Sequence, residues 1–203
     1  IDDSDFKERQ SIIKLFNSSM VFGYYLSVYA FVDISPDFNI YIENTRFFTH
    51  REANIPFFLI RGSILGSLTQ IASLKNSSFV CEFAKKRVDV SQSRLNSYLI
   101  INENENLNEF QVQSCFFSLH NYLYRGIFWL APAIKSAFLF NKFIENNFYL
   151  SDLTNTVEHS ASIFHIENKL ENKFFLIIIN KSVFVNAWGH TGTLISFKFE
   201  KIW

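Results

Sequence analysis

The chain has 203 residues, nineteen basic and nineteen acidic side chains that cancel, and an uneven composition: 25 phenylalanines against six glycines, three prolines and one methionine. That length suits one large domain or two small ones and allows a core without staples. The neutral balance excludes a strongly basic nucleic-acid-binding domain, two cysteines exclude a CxxC zinc site and a disulfide framework, and no apolar run reaches the about 20 residues of a membrane-spanning helix.

The dense Phe, Ile, Asn, Lys and Tyr follow AT-rich codons, which places the gene in an organelle, a low-GC phage or a reduced parasite. The initial Ile fits a literally translated organellar start codon or a trimmed chain. Of these settings the mitochondrial matrix is the favoured expectation.

In chain order, Asp2-Asp3-Ser4-Asp5 is a helix-capping cluster, and the apolar recurrence from Phe6 through Leu26 predicts a helix ending near Asp33. Asp37 to Ile42 alternates as a half-buried strand does. Asn44 to Asn54 suits a short helix. Ile55 to Ile60 is a compact apolar strand, and Ser63 to Leu74 carries Ile64, Leu65, Leu68, Ile71 and Leu74 on one helical face. The order predicts an αβαβα parallel unit over residues 1–101. The acidic, Asn-rich stretch 102–109 reads as a linker, and 110–203 as an α+β unit. The latter opens on a helical stretch over Phe110 to Leu123. It closes on an antiparallel β region built from Phe174–Ile179, Val183–Ala187 and Leu194–Phe199. The fold class expected is therefore α/β to α+β, with no internal repeat.

Residues 36 to about 75 carry Pro36-Asp37, a strand ending at Glu43, then Arg51-Glu52-Ala53-Asn54 and Ile55-Pro56 opening the next strand. This segment resembles the central part of the second small-subunit ribosomal protein family, organellar type. The resemblance implies a structural subunit of a small ribosomal subunit, with protein neighbours and ribosomal RNA as partners.

Tyr122-Leu123-Tyr124-Arg125-Gly126, with Ser151 downstream, resembles the first motifs of arginine-type mono-ADP-ribosyltransferases. That resemblance implies that Arg125 and Ser151 would hold NAD on a split, mostly antiparallel core. The Glu-x-Glu turn that supplies the family's catalytic acid is missing near 184–186, which leaves a degenerate enzyme as the alternative reading.

Lys85, Lys86, Arg87 and Arg94 form the one dense basic stretch and are the candidate RNA contacts. Cys81 and Cys115 are expected as two buried free thiols, with a single bridge between them as the alternative. The five histidines are scattered, so neither a metal site nor a cofactor is expected. Neutral charge, many aromatics and no complete catalytic set point to a noncatalytic structural subunit of a large assembly, with other proteins as its partners and without a membrane span.

Overall fold

The computed structural model describes residues 11–22, 30, 32–34, 38–49, 56–62, 70–81, 97–104, 107–119, 124–131, 133, 135–144, 146–148, 162–168, 174–186, 188–189 and 194–199. Among them every regular element is a strand, and the chain winds them into six successive coils. The first coil holds β1 (Ser11–Phe16), β2 (Ser19–Phe22) and β3 (Val32–Ile34). The second holds β4 (Phe38–Glu43), β5 (Arg46–Thr49) and β6 (Phe58–Ile60), and the third β7 (Gln70–Lys75), β8 (Ser78–Cys81) and β9 (Ser97–Asn102). The fourth holds β10 (Leu107–Gln113), β11 (Phe116–Leu119) and β12 (Tyr124–Leu130). The fifth holds β13 (Lys135–Leu139), β14 (Lys142–Ile144), β15 (Asn147–Phe148) and β16 (Ser162–Asn168). The sixth holds β17 (Leu176–Asn180), β18 (Val183–Val185), β19 (Trp188–Gly189) and β20 (Ile195–Phe199).

Stacked coil on coil, the strands form three six-stranded sheets, β1-β4-β7-β10-β13-β17, β2-β5-β8-β11-β14-β18 and β3-β6-β9-β12-β16-β20. A two-stranded sheet, β15-β19, lies beside them. Every described pairing between these strands is parallel, as in β1 with β4, β5 with β8 and β12 with β16. The architecture is a three-sided parallel β-helix.

Two residues make the corner between the first and second sheets in every coil. The first takes the left-handed conformation: Asn17, Asn44, Asn76, Ser114, Phe140 and Lys181 have φ between 47° and 57°. Asn enters this region at low cost because its short amide bonds locally, which explains three of the six. The second corner residue, Ser18, Thr45, Ser77, Cys115, Asn141 or Ser182, is small or polar. Four hydroxyls and the Cys115 thiol reach back two residues to a carbonyl, at 2.8 Å for Ser18 and Ser77, 3.0 Å for Thr45 and 3.4 Å for Cys115 and Ser182. Asn141 bridges coils instead: its Nδ2 donates to Val112 O and its Oδ1 accepts from Cys115 N–H, both at 2.9 Å. The corner therefore closes its own polar groups inside an apolar shaft.

Apolar rows from the three sheets fill that shaft. Ile13, Ile40, Ala72, Phe110, Ser136 and Ile177 form one row of the first sheet, and Leu15, Ile42, Leu74, Val112, Phe138 and Ile179 the next. The second sheet contributes Met20, Phe47, Phe79, Phe117, Phe143 and Phe184. These five phenylalanines stack ring on ring, with centroids 4.8, 4.9, 5.0 and 4.7 Å apart and planes within 8° of parallel. The ring spacing equals the spacing of paired strands, so one phenylalanine per coil is self-complementary. Edge-on rings from the third sheet brace the ladder, Phe58 against Phe47 at 5.0 Å and Phe128 against Phe117 at 5.3 Å. This column gives the phenylalanine excess a structural role.

The expected fold class is corrected on three counts. The first long helix holds β1 and β2, the short helix over Asn44 to Asn54 holds β5, and the helix over Ser63 to Leu74 holds β7. The helical stretch over Phe110 to Leu123 holds β10 and β11. The closing strands lie close to where the sequence puts them, but they pair in parallel with the coil before, not with one another. Likewise β4 and β6 are both strands yet belong to different sheets, so no single parallel sheet joins 37 to 60. Within the stretch 102–109, Asn102 ends β9 and Leu107 opens β10, and Asn102 and Asn104 are fully buried.

Candidate functional site

The outer face of the third sheet carries one row formed by Asp33, Leu59, Ile101, Trp129, His165 and Ser196, one residue per coil. Its polar end is tightly built. His165 Nδ1 lies 2.8 Å from Ser196 Oγ, and the Trp129 indole N–H donates to Glu167 Oε2 at 3.1 Å. His165 and Glu167 are 7% and 9% exposed, and the Tyr98 ring stacks beside the imidazole with centroids 5.7 Å apart. Gly126 makes that approach feasible: a Cβ there would stand 1.8 Å from Ser162 O and 2.6 Å from the Tyr98 ring.

Ser196, His165 and Glu167 occur in the order of a nucleophile, a base and an acid. The spacing does not connect them as such. His165 Nε2 stands 3.9 Å from Glu167 Oε2, too far for the hydrogen bond that would orient a base, and that same oxygen accepts from Trp129. The cluster is a clip across coils four to six. Toward the first coils the same face ends in an exposed bidentate pair, Arg61 Nε and NH2 to the two Asp33 oxygens at 2.7 and 2.6 Å. On the first sheet, a shallow hollow of about 260 Å³ is lined by Ile12, Lys14, Phe16, Tyr41, Glu43 and Lys75.

The exposed large apolar side chains fall in the first, fifth and sixth coils. The exposed large hydrophobic side chains are Ile12, Phe16 and Val21 in the first coil, Phe140 at the fifth corner, and Phe174, Leu176, Val183, Val185, Leu194 and Phe197 in or beside the sixth. Among the described residues, coils two to four have none. The inward rows thin out in the same way. Ile13, Leu15, Ile177, Ile179, Phe184 and Ile195 are only half-buried, whereas Ile40, Phe79 and Phe128 in the middle coils are 2% exposed or less.

Of the residues singled out from sequence, Lys85, Lys86, Arg87 and Arg94 lie outside the described residues, as do Ser151 and the histidines other than His165. Arg125 falls in β12, whose neighbours β9 and β16 are both parallel to it, unlike the antiparallel core its NAD-binding reading expects. Cys81 and Cys115 are both buried free thiols. Burial pushes the Cys115 thiol up to about 12, with backbone contacts at Ser77 and Gln113 acting the other way, and raises Cys81 for the same reason. Among the described residues no His, Cys, Asp and Glu cluster has the makings of a metal site, and no helix is long and apolar enough to cross a membrane. Trp129, Glu167 and Ser196 belong to no motif legible in the sequence, and His165 stands there only as one of five scattered histidines. The four lie on three successive coils, His165 and Glu167 together on β16, and only strand register brings Trp129 and Ser196 to them. No protein-family model, curated protein or solved structure matches this chain.

Proposed function

We propose that the chain is a noncatalytic structural subunit of a larger assembly, with other protein subunits as its partners. The observation that carries this reading is the placement of the exposed apolar side chains, which concentrate at the two end coils and avoid coils two to four. Exposed apolar side chains gathered in this way favour contact with protein. Among the described residues the three strands of each end coil have no partner on their outer side, and such edges are templates for pairing with another chain.

Within this reading, the resemblance of residues 36–75 names one assembly to test first, an organellar small ribosomal subunit. Lys85, Lys86, Arg87 and Arg94 are then its contacts to ribosomal RNA. The experiment is gradient sedimentation of a gentle extract from cells that make the protein, followed by detection of the chain. It is expected in particles far heavier than its own 23.8 kDa, and in the small-subunit fractions if the assembly is the ribosome. Recovery only as a free monomer would remove the reading.

A further inference from the structure

We propose that the two ends of the coil fit one another, so that copies of this chain stack head to tail, the sixth coil of one on the first coil of the next. The inference rests on the assembly reading above and names a partner for it, a second copy of the chain.

The hydrogen-bond series at the corner runs without a break from coil to coil and stops at both ends in complementary groups. Each left-handed corner residue donates its N–H to the coil that follows. Asn17 donates to Glu43 O, Asn44 to Lys75 O, Asn76 to Gln113 O, Ser114 to Leu139 O and Phe140 to Asn180 O, at 2.9 to 3.1 Å. Lys181 is the sixth donor of this series, and its N–H meets no backbone acceptor among the described residues. The carbonyl that heads the series of acceptors is that of Phe16. A second series points the other way: Arg46, Ser78, Phe116, Lys142 and Val183 donate to the carbonyls of Ser18, Thr45, Ser77, Cys115 and Asn141 at 2.8 to 3.0 Å. It begins at Ser19 N–H and ends at Ser182 O. Placing Lys181 N–H on Phe16 O and Ser19 N–H on Ser182 O continues both series across the junction. A head-to-head or tail-to-tail meeting would set the edge strands antiparallel and continue neither series.

Side chains match in the same register. Phe184 would lie on Met20, extending the ring ladder onto a polarisable thioether, and Ile177 and Ile179 would lie on Ile13 and Leu15. The outward rows match as well. Leu176 falls on Ile12 and Val185 on Val21, which joins four of the exposed apolar side chains in two pairs. Asn180 falls on Phe16 and Ile178 on Lys14, so this register sets no like charges face to face. Such an interface is heterologous and open, and its product is a filament of stacked coils.

The test uses purified full-length chain and a pair of cysteines at exposed outward positions, Phe16→Cys with Asn180→Cys. Register partners lie about 4.8 Å apart, within the reach of a disulfide. Mild oxidation of the double variant is expected to give a ladder of covalent dimers, trimers and higher species, while either single variant stays monomeric. The native thiols are buried and do not contribute. Adding Val185→Lys, an exposed position that leaves the interior rows intact, is expected to abolish the ladder. A double variant that crosslinks no more than the singles overturns the inference, as does Asn180→Cys crosslinking equally well alone. If no ladder forms yet the chain sediments in heavy particles with other proteins, this inference falls and the assembly reading stands. If the ladder forms but extracts contain only free monomer, the reverse holds.

Discussion

Phe79 occupies the middle of the ring ladder, stacked on Phe47 below and Phe117 above and fully buried. Phe79→Ala removes a ring from both contacts and opens a cavity in the shaft, so chemical denaturation is expected to show a loss of about 3–5 kcal/mol. Phe140 is the opposite case. It holds φ 57° at a corner where three other coils use Asn, and its ring is 47% exposed beside Lys181. Phe140→Asn is expected to raise stability by about 0.5–1 kcal/mol in the same assay, because it relieves a left-handed conformation that a bulky side chain tolerates poorly. The buried thiols add a pH dependence with a definite sign. Folding raises the Cys115 pKa from 9.0 to about 12 and raises that of Cys81 as well. Their stabilising contribution is complete below the unfolded value and is lost as pH climbs from 9.0 through about 12. A thermal midpoint that falls over this alkaline window, and falls less in Cys115→Ser, is the expected result.

The two-residue corner is the element that defines the fold, and it also explains what the sequence concealed. Inward residues run Phe110, Val112, Cys115, Phe117 and Leu119, stepping by two within each strand and by three across the corner. The extra step shifts the phase of a plain alternation, and Ile12, Ile13, Phe16 and Met20 then imitate helical spacing although Ile12 and Phe16 face outward. The repeat was nevertheless present in IKLFNSSMV, IYIENTRFF, ASLKNSSFV, FQVQSCFFS, SAFLFNKFI and IIINKSVFV. Each shows alternation, a left-handed corner residue, a small or polar residue, and a large side chain two positions on. No fixed period discloses it, because the first-sheet strands begin at Ser11, Phe38, Gln70, Leu107, Lys135 and Leu176. Strand positions after Phe174 were legible, since those segments are short apolar runs separated by turn residues; their partners were not, because each pairs with the preceding coil and not with its neighbour in sequence. The cluster at His165 was hidden for the same reason. At this scale Gly126 is the sensitive point, since β12 approaches β16 too closely for any Cβ. Gly126→Ala is expected to cost about 1–3 kcal/mol or more in denaturant unfolding by forcing the two strands apart.

Over the whole molecule, each coil touches chiefly the coils before and after it, and one continuous hydrophobic core runs from Ile34 to Ile166. Stability in such a stack is a sum of coil terms and interfaces between neighbours, so the middle coils, covered on both sides, are the firmest and the end coils the most reactive toward partners. The proposed role and the proposed stacking both follow from that asymmetry, and both depend on the coils being in the register described. Glu43 and Lys75 are register partners on adjacent coils, and Gln113 is the next residue in the same row. The most direct measurement is therefore disulfide formation within one molecule in two double variants. Glu43→Cys with Lys75→Cys should close readily, at a separation of about 4.8 Å, whereas Glu43→Cys with Gln113→Cys, about 10 Å apart, should not. Closure of the second pair in preference to the first, or of neither, would contradict the coil itself.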